Sequence, residues 1–149
     1  KQLNYIQRKL IDINYHIYGS YKYLEKYGMP KTIGDLNKHR FISFGKGTPS
    51  PVYNPDWALK IGVKDNKKRK SVMKVNSVMG LLLAVESGVG LAALPDYLSY
   101  QSKNIIKVLP KVEGPITEAH FVYPQSMKNV ARVQAFRNFL YSKISEWEF

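Results

Sequence analysis

The stretch VNSVMGLLLAVESGVGLAALPDY, residues 75–97, places Gly88, Gly90 and Ala93 in the spacing G-x-G-x-x-A. A dinucleotide-binding turn has that spacing too, but it needs a strand before the first glycine and a helix after the last, so that the pyrophosphate meets the helix N-terminus. The order here is reversed. Val78, Leu81, Leu82 and Val85 repeat at i, i+3, i+4 and i+7, the pattern of one buried helical face. After the glycines, Leu91-Ala92-Ala93-Leu94 is a short apolar run closed by Pro95, which predicts a buried strand. Gly88 then supplies the left-handed residue that ends the helix, and Gly90 lets the chain reverse tightly. About 20 residues further on, where a ribose-binding acid belongs, the chain reads NIIKVLP and offers none.

Working outward, 149 residues can bury about two thirds of the unfolded surface, enough for one domain or two small lobes. Hydrophobic residues at 44% without a low-complexity tract predict a globular chain. The absence of cysteine excludes disulfides, thiolate metal sites and a cysteine nucleophile, and permits a reducing compartment. No apolar run approaches the roughly 20 residues that span a bilayer, so no membrane partner is expected. The chain opens at Lys1 with no charged-then-apolar leader and no initiator Met, which predicts a cytoplasmic protein and a fragment or processed product.

The net charge of +12 raises nucleic acid as a partner. Lys and Arg are nevertheless spread along the whole chain. The one dense run, Lys64-Asp65-Asn66-Lys67-Lys68-Arg69-Lys70, lies between WALKIGV and SVMKVN, two expected strands, and reads as the solvated tip of a hairpin.

Elsewhere, residues 8–18 alternate as one strand and Ser20 stands as an N-cap before the helix YKYLEKY, which stops at Gly28 ahead of Pro30. A second small helix opens at Thr32, with Asp35 three residues on as a capping partner. Residues 40–45 predict a strand, PSPVYNP (49–55) a surface loop, DYLSYQ a short helix, IIKVL (105–109) and HFVYP (120–124) strands. Val130, Val133, Phe136, Phe139 and Leu140 predict a closing amphipathic helix capped by Asn129. Strands alternating with helices give an α/β class.

Several of these stretches occur together in a familiar order. The segment S-x-x-Y-L-x-x-x-G-x-P at Ser20–Pro30, D-L-x-x-H-R at Asp35–Arg40, and the opening stretch ending in Leu94-Pro95, followed by IIKVLP, HFVYP and ARVQAFRNFL, resemble the effector-binding region of LysR-type transcriptional regulators from about Leu3 to Leu140. Each piece alone is weak; their collinear order is specific. The resemblance implies a regulatory region of two α/β lobes, similar to periplasmic binding proteins, with a small effector in the cleft between them. It also implies that the helix-turn-helix, the linker helix and the first half of lobe I lie outside this chain. Residues 1–16 would then be a crossover strand from lobe I, 17–119 lobe II, and 120–149 the return strand and C-terminal helix of lobe I. The implied role is ligand sensing rather than catalysis, with no cofactor, DNA contacted only through the missing N-terminal domain, and self-association through the lobe I remnant.

Ligands of open α/β sheets sit beyond the carboxyl ends of strands, at helix N-termini whose free N–H groups favour anions. Ser20 follows one strand and precedes a helix; Asn76 and Ser77 do the same before residues 77–87. The matching family positions contact effectors in several members. Helix capping alone would also account for Ser20 and for Asn76 or Ser77. Ser43, at the end of FIS, is a further candidate. His16, His39 and His120 lack metal-ligand spacing, and no G-x-S-x-G elbow is present, so neither a metal site nor a hydrolase is expected. A solute-binding module of transport and a basic nucleic-acid-binding protein are the alternative readings.

Overall fold

A computed structural model describes residues 4–45, 54, 56–64 and 67–147. Contacts divide the chain into Asn14–Ile116 and a second unit made of Lys1–Ile13 with Thr117–Phe149, boundaries three residues ahead of those expected from the sequence.

The unit Asn14–Ile116 carries β2 (Tyr15–Ser20), α1 (Tyr21–Tyr27), a 3-10 helix (Ile33–Lys38), β3 (Phe41–Phe44), α2 (Trp57–Lys60), β4 (Ser71–Val75), α3 (Val78–Glu86), β5 (Ala92–Pro95), α4 (Tyr97–Gln101) and β6 (Ile105–Val108). The other unit holds β1 (Tyr5–Ile13), β7 (Thr117–Pro124) and α5 (Ala131–Ser145). The residues expected to form one strand over 8–18 thus divide between β1 and β2, with Asn14 at the break. Among the described residues no helix is long and apolar enough to cross a membrane.

Strand β2 pairs antiparallel with β5 on one side and β6 on the other, while β3 and β4 pair parallel. A parallel bridge from Phe41 to Leu91 joins the two ladders. Two 2.8 Å bonds hold it, Ile42 N–H donating to Leu91 O and Leu91 N–H to Arg40 O. The strands therefore lie in the order β4-β3-β5-β2-β6. On one face Leu81, Leu82, Ala84 and Val85 of α3 pack on Tyr18, Ile42, Ala92, Leu94 and Ile105, and this cluster is the core. Residues of α3 expected to face inward do so, with Val78 half-buried at the margin.

The glycines end α3 as their order requires. Gly88 takes φ +76°. Its N–H donates to Val85 O at 2.9 Å and Val89 N–H donates to Ala84 O at 3.2 Å, the paired bonds of a Schellman motif. Gly90 has a different reason: a Cβ there would lie 2.6 Å from Arg40 O, because β3 and the start of β5 approach backbone to backbone. Replacing Gly90 with Ala is expected to lower stability by about 1–3 kcal/mol through forced separation of those strands. Urea denaturation checks this, and an unchanged midpoint would mean the strands do not meet so closely.

Three local expectations are corrected. WALKIGV is not a strand of a hairpin: Trp57, Ala58 and Leu59 are buried in succession, which an alternating strand cannot do, and they form α2, while β4 takes β3 as its parallel partner. In the basic run Arg69 turns inward while its lysine neighbours stay exposed; Asp65 and Asn66 lie outside the described residues. Helix α5 begins after Val130 with no side-chain cap, so Asn129 does not serve as one. Thr32 and Asp35 do form a reciprocal capping box, on a 3-10 helix. Of the loop expected over 49–55, only Asn54 lies within the described residues.

Candidate functional site

Because β3 and β4 run parallel, their carboxyl ends share one edge of the sheet. Gly45 N–H donates to Val75 O at 2.8 Å there, setting Gly45 beside Asn76. Chain exit from β4 leads directly into α3, whose N-cap is Ser77: its hydroxyl accepts from Gly80 N–H at 3.4 Å. Asn76 and Ser77 are both exposed, at the positive end of the helix dipole. An anion placed there meets oriented N–H groups without displacing a buried partner.

The four residues expected to line one site do not converge. Ser43 lies one residue short of the end of β3 and is buried. It alternates with Ile42 and Phe44, which pack in the α3 core, so it faces the α2 side. There it lines a pocket of about 280 Å³ together with Leu59, Ser71 and Lys74. Ser20 is further away. Strand β2 runs antiparallel to β5, and Ser20 pairs with Ile105, the first residue of β6, so it sits at the opposite edge from Asn76 and Ser77. It is 1% exposed, and its hydroxyl accepts from Tyr23 N–H at 3.3 Å, as an N-cap inside the fold. The sequence rule about carboxyl ends misplaces Ser20 because it presumes that all strands point one way.

The same antiparallel strand brings other residues to the edge. The amino end of β2 lies beside the carboxyl end of β5, pairing Tyr15 with Pro95 and His16 with Leu94. Asp96, buried just after β5, is the hub of a polar network there. His16 Nδ1 lies 2.8 and 2.9 Å from its two carboxylate oxygens. Tyr18 donates its hydroxyl at 3.0 Å, and Lys107 donates Nζ at 2.8 Å. Burial pushes the Tyr18 phenol well above its ordinary range, so it stays protonated and remains a donor. The sequence gives His16 no role, because the three histidines lack metal-ligand spacing; its partner Asp96 lies 80 residues away. The pattern HIY against LPD contains the pair, but only the register of β2 on β5 discloses it.

The other histidines have separate surroundings. His39 packs against the Tyr23 ring, with burial holding its pKa below the usual histidine value, and His120 approaches Glu118 at 3.4 Å. Among the described residues no three His, Cys, Asp or Glu side chains are grouped to hold a metal ion.

The sequence profile of the family described as LysR substrate binding domain matches residues 2–144. A Haemophilus influenzae protein described as an uncharacterized HTH-type transcriptional regulator is 29% identical over 123 residues, covering 80% of this chain. This chain spans only 41% of that relative's length. Among solved structures, the regulatory domain of CrgA, a LysR-type transcriptional regulator from Neisseria meningitidis, superposes with a TM-score of 0.73 at 21% identity, over 94% of this chain and 69% of that one. The full-length Vibrio cholerae virulence activator AphB gives 0.66 at 18% identity, over 95% and 48% respectively. At these identities the two structures speak for the fold alone.

Proposed function

This chain belongs to the LysR substrate binding domain family, and from that premise we propose that it is the ligand-sensing part of a DNA-binding transcriptional regulator. The observation that carries this reading is the exposed pair Asn76–Ser77 at the N-terminus of α3, on the carboxyl-end edge of the sheet. A small anionic effector binds there, held by the N-terminal N–H groups of α3 and the side chains of Asn76 and Ser77. Ser43 faces the other side of the ladder and does not meet this effector, and Ser20 acts as a cap. In this reading Asn14–Ile116 is lobe II, and the strands β1 and β7 with α5 belong to lobe I. Sequence-specific DNA contact resides in a helix-turn-helix outside this chain, in a cytoplasmic protein. The family is one of regulator domains, and the role is recognition, not catalysis: effector binding selects one arrangement of the regulator over another.

Two substitutions separate capping from recognition in the full-length regulator. Ser77→Ala is expected to lower stability by about 1 kcal/mol through the lost cap, and to weaken the effector response by a further, roughly similar free energy. Ser77→Asp keeps the cap but places a carboxylate against the anion, so stability should hold while the reporter response fails. If the Asp variant is stable and responds normally, the effector does not meet Ser77.

A further inference from the structure

The pocket on the α2 side of the β3–β4 ladder carries more positive than negative charge among the described residues. Its lining brings four basic side chains, Lys68, Arg69, Lys70 and Lys74, to a single carboxylate, Asp56. That carboxylate is already paired, with Lys68 Nζ at 2.5 Å. Among the described residues Arg69, Lys70 and Lys74 have no carboxylate within ion-pair distance. The hydroxyl-bearing residues Ser43 and Ser71 complete the polar lining.

Arg69 gives the site its permanent field. Its Nε donates to Asn37 Oδ1 at 2.9 Å, Nη1 to Ile61 O at 2.8 Å and Ala58 O at 3.3 Å, and Nη2 to Ile33 O at 3.4 Å. The guanidinium also lies 5.8 Å from the Phe41 ring centroid. Partial burial lowers its pKa from the usual arginine value, and a guanidinium stays charged in a protein. Among the described residues the partners of this cation are all carbonyl oxygens and none is a carboxylate, so no ion pair neutralises its charge at the pocket wall. Exposed Lys70 and Lys74 supply mobile ammonium donors at the rim.

We propose that this pocket binds a small phosphate monoester. A phosphate carries about −1.5 to −2 charge near neutral pH and three acceptor oxygens, which suits two free lysines, a fixed guanidinium and two hydroxyls better than a single carboxylate would. Lysines bind phosphate as point charges and need no bidentate geometry. A volume of about 280 Å³ lies at the small end of ligand pockets. It suits a monoester of a short alcohol, whereas a nucleic-acid backbone would lie across an open surface. Arg69 here holds the field and positions α2; Lys70, Lys74, Ser43 and Ser71 touch the ligand. The proposal is independent of the effector reading, because the pocket lies on the face of the ladder opposite α3.

Calorimetric titration of the 149-residue chain tests it, with glycerol 3-phosphate, inorganic phosphate, acetate and a short DNA duplex as probes. Glycerol 3-phosphate is expected to bind saturably, at least as tightly as inorganic phosphate and in competition with it, with acetate unable to displace either. Changing Lys70→Gln together with Lys74→Gln should weaken glycerol 3-phosphate binding about tenfold or more, with the urea midpoint unchanged because both side chains are exposed. Binding that is absent, or unaltered in the double variant, overturns the proposal. Inorganic phosphate binding without glycerol 3-phosphate overturns the monoester in favour of the free ion. Duplex binding that alone depends on the two lysines overturns it in favour of a nucleic-acid backbone.

Discussion

Replacing Asp96 with Ala is expected to remove about 3–5 kcal/mol of stability, the range measured when one partner of a buried ion pair is deleted. That is a large fraction of the roughly 5–15 kcal/mol that holds a domain of this kind together. The size follows from what the carboxylate compensates. Its side chain is 6% exposed, and His16, at 10%, is almost as deeply placed. His16 Nδ1, the Tyr18 hydroxyl and Lys107 Nζ all converge on it. Deletion leaves those groups with no acceptor, in a site that water enters with difficulty. Lys107 contributes least, being more than a third exposed and able to turn to solvent. Tyr18→Phe removes one bond and no charge, and should lower stability by only about 1 kcal/mol. Urea denaturation of the two variants ranks these losses. If Asp96→Ala and Tyr18→Phe shift the midpoint equally, Asp96 is not the hub.

The 149-residue chain on its own is expected to self-associate through α5. Strands β1 and β7 form a two-stranded antiparallel ribbon with a bulge between Lys9 and Ile11. Two strands and a helix offer little interior, since a two-stranded ribbon is marginal by itself. Tyr141 donates its hydroxyl to Lys9 O at 3.0 Å, and Phe136 meets Phe121 edge-on at 5.8 Å, so the helix has footholds on the ribbon. Yet no described residue of α5 is buried, and Phe136 and Phe139 remain 52% and 54% exposed. Contiguous apolar surface of this kind drives association. Sedimentation velocity across a concentration series should show the mass rising above that of the single chain. Phe136→Ser with Phe139→Ser should return it to the monomer. A chain that stays monomeric at every concentration, or an association indifferent to the two serines, rules out α5 as the contact.

What the sequence by itself determined acts over three or four residues, with the helix at Trp57–Lys60 and the uncapped start of α5 as the local exceptions. Ser77 caps α3, Thr32 and Asp35 form a reciprocal box, Gly88 closes the helix by a Schellman turn, and Val85 faces the core. Each of these rests on a hydrogen bond or a face that the local spacing already contains. The order helix, glycines, strand was legible for the same reason, and with it the absence of a dinucleotide turn. The tertiary structure alone decided which strands pair and in which direction. Nothing in SVMKVN says that its neighbour is β3 rather than the segment just before it, and nothing in YHIYGS says that it runs against β5. Strand partners are chosen by contacts between residues far apart in the chain, and an alternating pattern fits a parallel or an antiparallel neighbour equally well. The direction of β2 carried Ser20 to the far edge and brought His16 onto Asp96, and the pairing of β4 with β3 turned Arg69 from the tip of an expected hairpin into the fixed charge of a pocket.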